Sequence, residues 1–181
     1  MRTAKPLHAR EVLRSHGHVG AVDELCDTVV AWVTTPDEHY AWTGFELKYP
    51  PTSAALHAVG SSTDRSRSAY GLYDSTDGLL LGYGELGRID RANRTARLDR
   101  LILDPEHRGR GLGSVGVRMI AAEGFACGLH RIELLVGMDN IEALRAYRQA
   151  GFVLEGTLHD ARLVKGEYCS MYLMAKIDDR D

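Results

Sequence analysis

Cysteine is scarce and scattered in this sequence. Cys26, Cys127 and Cys169 are the three in 181 residues, and no two of them form a Cys-x-x-Cys pair. This spacing argues against a disulfide framework and against a cysteine-ligated zinc site. The histidines show no His-Glu-x-x-His pattern, and His16-x-His18 is an isolated pair. We therefore predict that the protein holds no metal.

Long apolar runs are also lacking. No stretch approaches the roughly 20 residues of a membrane-spanning helix, and the N-terminus leads into no apolar signal core. We therefore expect a cytoplasmic protein with no membrane partner. The 22 basic and 25 acidic residues give a formal charge of −3, which argues against binding nucleic acid through bulk charge. Five arginines recur at every third position but alternate faces, which predicts solvated charge: Arg88, Arg91, Arg94, Arg97 and Arg100.

The chain reads as one domain, residues 1–181, whose character changes near residue 69. Before that point, apolar residues over 22–33 have helical spacing, and Thr35-Pro36 is expected to end that helix. An aromatic-rich stretch and a short helix over 52–59 follow. Residues 1–68 are thus expected to form a variable N-terminal segment.

From residue 69 onward, strands and helices alternate. Strands are predicted over 69–73, 79–89, 95–103, 131–136, 152–158 and 168–177. Helices are predicted over 112–126 and from the capping box Asp139-x-x-Glu142 through Ala150. This order indicates an α/β (α+β) fold, with helices packed on a mixed sheet.

Glycine and arginine concentrate in residues 104–114, between a predicted strand and a predicted helix. Glycines allow the backbone to approach a ligand closely, and the first amides of a helix favour an anion, so this loop could hold a pyrophosphate. A plain tight turn is the alternative. A P-loop is excluded because no Gly-Lys-Ser/Thr follows the glycines. Gly111-x-Gly113-x-x-Gly116 matches a dinucleotide fingerprint, but its long preceding loop does not fit that fold.

Two motifs are more specific than the glycines alone. Arg108, Gly111 and Gly113 fit Arg/Gln-x-x-Gly-x-Gly/Ala, and a second signature joins Asn140 and Ala143 to Tyr147 and a Gly-Phe pair at 151–152. Together they resemble the GNAT superfamily of acetyl-CoA-dependent N-acetyltransferases. The resemblance covers residues 69–177 as the acetyl-CoA-binding core. Residues 1–68 are only loosely similar, to the branch that includes ribosomal-protein N-terminal acetyltransferases.

The resemblance implies a mostly antiparallel sheet with helices on both faces and two strands that splay at the coenzyme. The splayed backbone of Leu101, Ile102 and Leu103 would hold the pantetheine arm. Amides of the glycine loop would hold the pyrophosphate: Arg108, Gly109, Arg110, Gly111, Leu112, Gly113 and Ser114. Asn140 would contact the coenzyme or simply cap its helix.

The resemblance also assigns catalytic roles. Tyr147 would protonate the departing thiolate, although helical spacing also fits a core aromatic. Asp99 or Glu85 would act as base, directly or through water, unless it pairs with an arginine such as Arg97 or Arg100. Strand alternation predicts that Asp99 shares a face with Leu101 and Leu103.

The implied activity is transfer of acetyl from acetyl-CoA to a primary amine, either a small molecule or a peptide N-terminus, by direct attack in a ternary complex. A coenzyme-A-binding sensor without turnover and transfer of another acyl group are the alternatives. An acidic pocket lining would point to a polyamine or another cationic acceptor. Six residues would wall that pocket or else pack as core: Trp32, Asp37, Glu38, Tyr40, Trp42 and Tyr49. A homodimer is compatible with the resemblance, and the oligomeric state is otherwise open.

Overall fold

A computed structural model describes residues 7–11, 19–44, 46–60 and 66–179. The strands are β1 (Leu7–Glu11), β2 (Ser68–Asp74), β3 (Leu80–Asp90), β4 (Thr95–Leu103), β5 (Arg131–Gly137), β6 (Val153–Val164) and β7 (Glu167–Ile177). The α-helices are α1 (Val19–Ala31), α2 (Pro36–Thr43), α3 (Ser53–Gly60), α4 (Leu112–Ala126) and α5 (Ile141–Gln149). A 3-10 turn, Pro105–His107, lies between β4 and α4. No helix in these ranges is long and apolar enough to cross a bilayer.

The described strands form one seven-stranded sheet in the order β1-β2-β3-β4-β5-β7-β6. Neighbouring strands are antiparallel except β4 and β5, which are parallel. The predicted mixed, mostly antiparallel sheet is therefore confirmed.

The regular part of the chain follows its sequence pattern closely. The predicted strand 95–103 and helix 112–126 have the observed bounds of β4 and α4. β6, in contrast, continues six residues beyond the predicted end at 158. Asn140 caps α5, with its side-chain oxygen accepting from the amide of Ala143, so the capping box proposed at Asp139 is wrong by one residue.

Two elements of the N-terminal segment were not predicted, β1 and α2. Thr35-Pro36 begins α2 as well as ending the preceding helical stretch, because Thr35 caps it and Pro36 occupies its first turn. The prediction treated the Thr-Pro pair as a stop only. The short helix predicted over 52–59 is confirmed as α3.

Helices cover both faces of the sheet. On one face, α4 and α5 bury an apolar cluster that includes Leu98, Ile120 and Leu144. On the other face, α1, α2 and α3 bury a second cluster that includes Val29, Trp42 and Ile102. We call these the α4 face and the α2 face.

A β-bulge in β4 reverses the alternation of its side chains. Leu98 belongs to the α4 face, yet Leu101 and Leu103 also pack on that face, three and five residues later. The register against β3 shifts at this point, and Arg100 has a positive φ of 48°. The prediction that Asp99 shares a face with Leu101 and Leu103 is therefore wrong. Asp99 instead lies opposite Glu85 of β3 in the strand register. The Glu85 carboxylate accepts a hydrogen bond from Tyr83 of the α2 face, which places Asp99 on that side.

The two parallel strands separate after a short paired stretch. Residues 95–97 of β4 pair with residues 131–133 of β5, and no further pairs join the two described strands. The backbone of β4 from Leu98 onward is therefore open toward β5, which is the splay that the family resemblance implied.

Candidate active site

A cleft of about 680 Å³ opens where β4 and β5 separate. Asp99, Arg100 and Leu101 line it from β4, and Val136 and Gly137 line it from β5. Because the gap passes through the sheet, α2 and α5 reach the same cleft from opposite faces. A two-substrate reaction could use such a passage by admitting one substrate from each side.

The glycine loop lies between β4 and the first turn of α4. Gly109 and Gly111 have positive φ values of 73° and 78°, and a Cβ at either position would meet no heavy atom within 4 Å. Gly111 is the N-cap of α4 and therefore offers no side-chain bond to the amides that follow. This bare, positively polarised helix start fits a phosphate group.

The arginines of the loop are held by local contacts. Arg108 donates to the carbonyl of Leu103 at 3.2 Å and pairs with Glu38 at 3.0 Å, while Arg110 donates to the carbonyl of Glu106 at 3.0 Å. The Ser114 hydroxyl donates to the carbonyl of Gly111 at 3.0 Å. These side chains are held by contacts within the protein, so the backbone amides are the groups of the loop that could bind an anion.

Tyr147 enters the cleft from α5, on the α4 face. Its ring packs near Phe152 with 6.2 Å between ring centres, and it also lines the cleft. Burial, and secondarily the charge of Asp99, raises the pKa of Tyr147 to about 12. The phenol therefore keeps its proton throughout the neutral pH range.

Asp99 enters the cleft from β4, and its side chain is 18% exposed. Its Oδ2 atom has no hydrogen bond in the described part of the chain and lies 3.7 Å from a guanidinium nitrogen of Arg67. Burial raises the pKa of Asp99 to about 6, against the charge of Arg100. A carboxylate with this pKa can take a proton near neutral pH.

Glu85 occupies a different environment from its rival Asp99. It is fully buried and accepts hydrogen bonds from Arg100, Arg67 and the hydroxyl of Tyr83 at 2.7 to 2.8 Å. Burial works to raise the pKa of Glu85, but the hydrogen bonds and charge of Arg100 outweigh it and hold the pKa low. Its oxygens are occupied, so this geometry favours an ion-pair role over a base.

Arg100 is 4% exposed, so the prediction that it belongs to solvated charge is wrong. It pairs with Glu85 and Glu46, and its carbonyl accepts from the indole nitrogen of Trp42 at 2.7 Å. Arg97, also predicted as solvated, pairs with Glu133 at 3.0 Å.

The other predicted coenzyme residues lie as follows. Leu101 lines the cleft, Ile102 is buried on the α2 face, and Leu103 packs on the α4 face. Asn140 caps α5 and also lines the cleft; its contact with the coenzyme stays a prediction.

The predicted amine pocket is partly assembled. Asp37, Glu38, Tyr40 and Trp42 line the cleft. Trp32 is core on the α2 face, and Tyr49 is 41% exposed with its ring edge against His39. Four charged residues of the lining were not predicted, because elements distant in sequence bring them to the cleft: Glu46, Asp139, Arg162 and Lys165.

The described residues contain no group of three or more histidine, cysteine, aspartate or glutamate side chains arranged to hold a metal ion. His16 and His18 lie outside those residues. The prediction of no metal therefore remains a prediction.

Comparison with known proteins identifies the family. The model of the acetyltransferase (GNAT) family matches residues 38–152. The chain is 32% identical over 93 residues to a spermidine N(1)-acetyltransferase of Escherichia coli K12, covering 51% of this chain and 50% of that protein. It is 33% identical over 103 residues to the L-amino acid N-acetyltransferase AaaT of the same strain, covering 56% and 64%. The chain thus spans about half the length of the first of these relatives.

The fold extends over almost the whole chain. A crystal structure of spermidine N-acetyltransferase from Vibrio cholerae, in complex with CoA and spermine, superposes with a TM-score of 0.72. The superposition covers 94% of this chain and 95% of that one, at 24% identity. The structural similarity therefore extends beyond residues 38–152, which the family model matches.

Proposed function

Because the chain belongs to the acetyltransferase (GNAT) family, we propose that it transfers the acetyl group of acetyl-CoA to a primary amine. The observation that carries this proposal is the convergence of Asp99 and Tyr147 on one cleft beside the glycine loop. They enter from opposite faces of the sheet, which suits a base for one substrate and an acid for the other. The proposed setting is the cytoplasm.

The coenzyme site is supported by backbone geometry. The amides at the start of α4 and in residues 108–114 would bind the pyrophosphate, since Gly109 and Gly111 leave that surface open. The open backbone of β4 from Leu101 to Leu103 would bind the pantetheine arm. Acetyl-CoA, when bound, supplies a thioester activated toward nucleophiles.

Proton transfer follows from the two unequal pKa values. An amine attacks only when neutral, and Asp99, with a pKa of about 6, is ionised at pH 7 and can accept the amine proton. Tyr147 holds its proton at that pH and can donate a hydrogen bond to the thiolate that leaves. Part of the high pKa of Tyr147 comes from the charge of Asp99, so protonation of Asp99 makes the phenol a stronger acid.

Positioning supplies the larger share of the rate in this proposal. The cleft holds both substrates in one passage, and oriented binding can contribute about 7–11 kcal/mol to lowering a barrier. Proton transfer adds about 10²- to 10⁴-fold. Polyamines and amino acids, the acceptors named in the relatives, are the two classes to test first.

The test measures CoA release from acetyl-CoA with a panel of amines, for the wild type and Tyr147→Phe. We expect turnover by the wild type and about 10²-fold lower kcat for Tyr147→Phe, because the leaving sulfur loses its donor. Acetyl-CoA at 100 times its Kd should stabilise both proteins by about 2.7 kcal/mol in thermal unfolding.

Tyr168→Phe is the matched control, because Tyr168 is 68% exposed on β7. It should retain wild-type kcat. Coenzyme binding without release of CoA for any amine would favour the sensor, and absence of a thermal shift at millimolar acetyl-CoA would refute the coenzyme site itself.

A further inference from the structure

Charged side chains of both signs line the cleft. Among the described residues the carboxylates are Asp37, Glu38, Glu46, Asp99 and Asp139, and the cations are Arg97, Arg100, Arg162 and Lys165. The lining is therefore mixed, so its net charge does not identify an acceptor. Whether each charged group is already paired within the protein shows which groups are available to bind an acceptor.

Three of these carboxylates are already paired with cations of the protein. Asp37 pairs with Lys165 at 2.5 Å, Glu38 pairs with Arg108 at 3.0 Å, and Glu46 pairs with Arg100. An acceptor with several ammonium groups would have to compete for each of them. That competition weakens recognition of a polyamine, because a paired carboxylate offers little net field to a second cation.

The two remaining carboxylates do not form a polyammonium site either. Asp99 is the proposed base, and its charge is consumed when it accepts a proton. Asp139 is exposed, so water already solvates its charge. The cleft therefore provides one strong position for an amine, at Asp99.

Arg162, in contrast to the paired carboxylates, is a cation of the described lining without a paired counter-charge. It is half-buried on β6 and lines the cleft, yet its guanidinium has no hydrogen bond or ion pair with any other described residue. Its Nη2 atom lies 4.0 Å from the point where a Cβ on Gly44 would stand, so it extends toward the C-terminus of α2. None of its nitrogens is among the buried unpartnered atoms of the described residues, so this guanidinium is open to the cleft, and a guanidinium matches a carboxylate through two parallel N–H bonds.

We propose that the acceptor is an amine that also carries a carboxylate, as in an amino acid, and that Arg162 binds this carboxylate while the amine faces Asp99. This inference rests on the acetyl transfer proposed above and specifies its substrate class. Arg97 and Arg100 pair with Glu133 and Glu85, and Lys165 pairs with Asp37. The Nε atom of Arg97 also lacks a partner, but it is buried, so Arg162 is the cation of the described lining that offers an unpaired guanidinium to the cleft. The β6–β7 hairpin thereby becomes the element that selects the acceptor.

The first experiment compares amines that differ only in the carboxylate. Each amino acid is assayed beside its amide, which keeps the amine and removes the negative charge, and spermidine is assayed in parallel. We expect kcat/KM at least tenfold higher for the amino acid than for its amide. Amino acids with the amine on the α or the ω carbon distinguish how far apart the two groups must lie.

The second experiment removes the guanidinium. Arg162→Gln should raise KM for the amino acid about ten- to a hundredfold, the equivalent of one charge-assisted hydrogen-bonded pair, with a much smaller change in kcat. The KM for the amide should change far less. Arg91→Gln is the matched control, because Arg91 is exposed in the turn between β3 and β4 and does not line the cleft, and it should change KM less than threefold.

Each outcome separates this inference from the underlying activity. Efficient acetylation of spermidine with poor use of amino acids, or an equal effect of Arg162→Gln on acid and amide, would overturn the inference and leave acetyl transfer standing. If no amine is acetylated, the proposed function fails. Thermal stabilisation by free amino acid in the presence of CoA then still tests Arg162, since loss of that shift in Arg162→Gln supports the carboxylate site and an unchanged shift refutes it.

Discussion

The α4 face of the sheet buries a continuous apolar cluster, whereas the α2 face also buries Glu85, Arg100 and His39. On the α4 face the helix approaches closely: a Cβ on Gly116 would stand 2.4 Å from a methyl of Leu72. On the α2 face, side chains are held by ion pairs and hydrogen bonds, such as the bond from Trp42 to Arg100.

We interpret this contrast as a separation between the coenzyme side and the acceptor side of the sheet. In the proposed reaction, the glycine loop would bind the coenzyme, and the tight apolar packing beneath it would hold its backbone amides in a fixed shape. In the proposed reaction, Asp99 would take the amine proton beside the ion pairs of the α2 face, which influence its pKa, whereas the proposed acid Tyr147 belongs to the α4 face. Substitutions near Asp99 should therefore change the pH dependence of activity, whereas substitutions in the α4-face cluster should change stability alone.

The largest effect is expected at Asp99. Asp99→Asn should lower kcat/KM about 10²- to 10⁴-fold at pH 8, because the amine loses its proton acceptor. In the wild type, the acidic limb of the kcat/KM profile should have its midpoint near pH 6, the pKa of Asp99, and the variant should lack that limb. Asp139→Asn, an exposed carboxylate in the same cleft, should keep it.

The same variant has an opposite effect on stability. The pKa of Asp99 is about 6 in the folded protein and 3.8 for an ordinary aspartate, so the folded state binds the proton more tightly. Ionising Asp99 therefore costs stability above about pH 6, by about 1–3 kcal/mol, and costs nothing below pH 3.8. Asp99→Asn should raise the free energy of unfolding at pH 8 and leave it unchanged at pH 3.5, and a loss at pH 8 would contradict the assigned pKa.

The next largest effect is expected at Glu85. Glu85→Gln should destabilise the fold by about 3–5 kcal/mol in urea unfolding, because Arg100 would remain buried without its main counter-charge. Glu155→Gln removes one partner of the exposed pair with Arg131 and should cost less than about 1 kcal/mol. Equal costs for the two variants would show that burial does not distinguish the pairs.

The smallest effect is expected on the α4 face. Ile120 is fully buried there, and Ile120→Val should cost about 0.5–1.5 kcal/mol by removing one methylene. It should leave the midpoint of the acidic limb unchanged, because no charge near Asp99 is altered. A shifted midpoint in this variant would show that the two faces are coupled.

The bounds of β4 and α4 could be predicted from the sequence, because the spacing of apolar residues within each segment determines which secondary structure it forms. Residues 95–103 and 112–126 have strong periodicity, and the glycine loop between them marks both boundaries. The bulge at Arg100 escaped prediction because it depends on contacts from β3 and Trp42, and the burial of Arg100 depends on Glu85, fifteen residues earlier in the chain. Arg162 was not predicted as a site residue, because the apolar pattern of its strand ends at 158 whereas β6 continues to Val164. The roles of Tyr147, Asp99 and the loop amides stay predictions.

The left-handed backbone of Arg100 bears on where protons would be lost and gained in the proposed reaction. Asp99 faces the α2 side by ordinary alternation from Leu98, and the bulge at Arg100 returns Leu101 and Leu103 to the α4 face, where Tyr147 stands. In the proposed reaction, the amine would lose its proton on the α2 side and the sulfur would gain its proton on the α4 side of one open passage through the sheet. Each product could leave by the side from which its precursor entered, without crossing the path of the other.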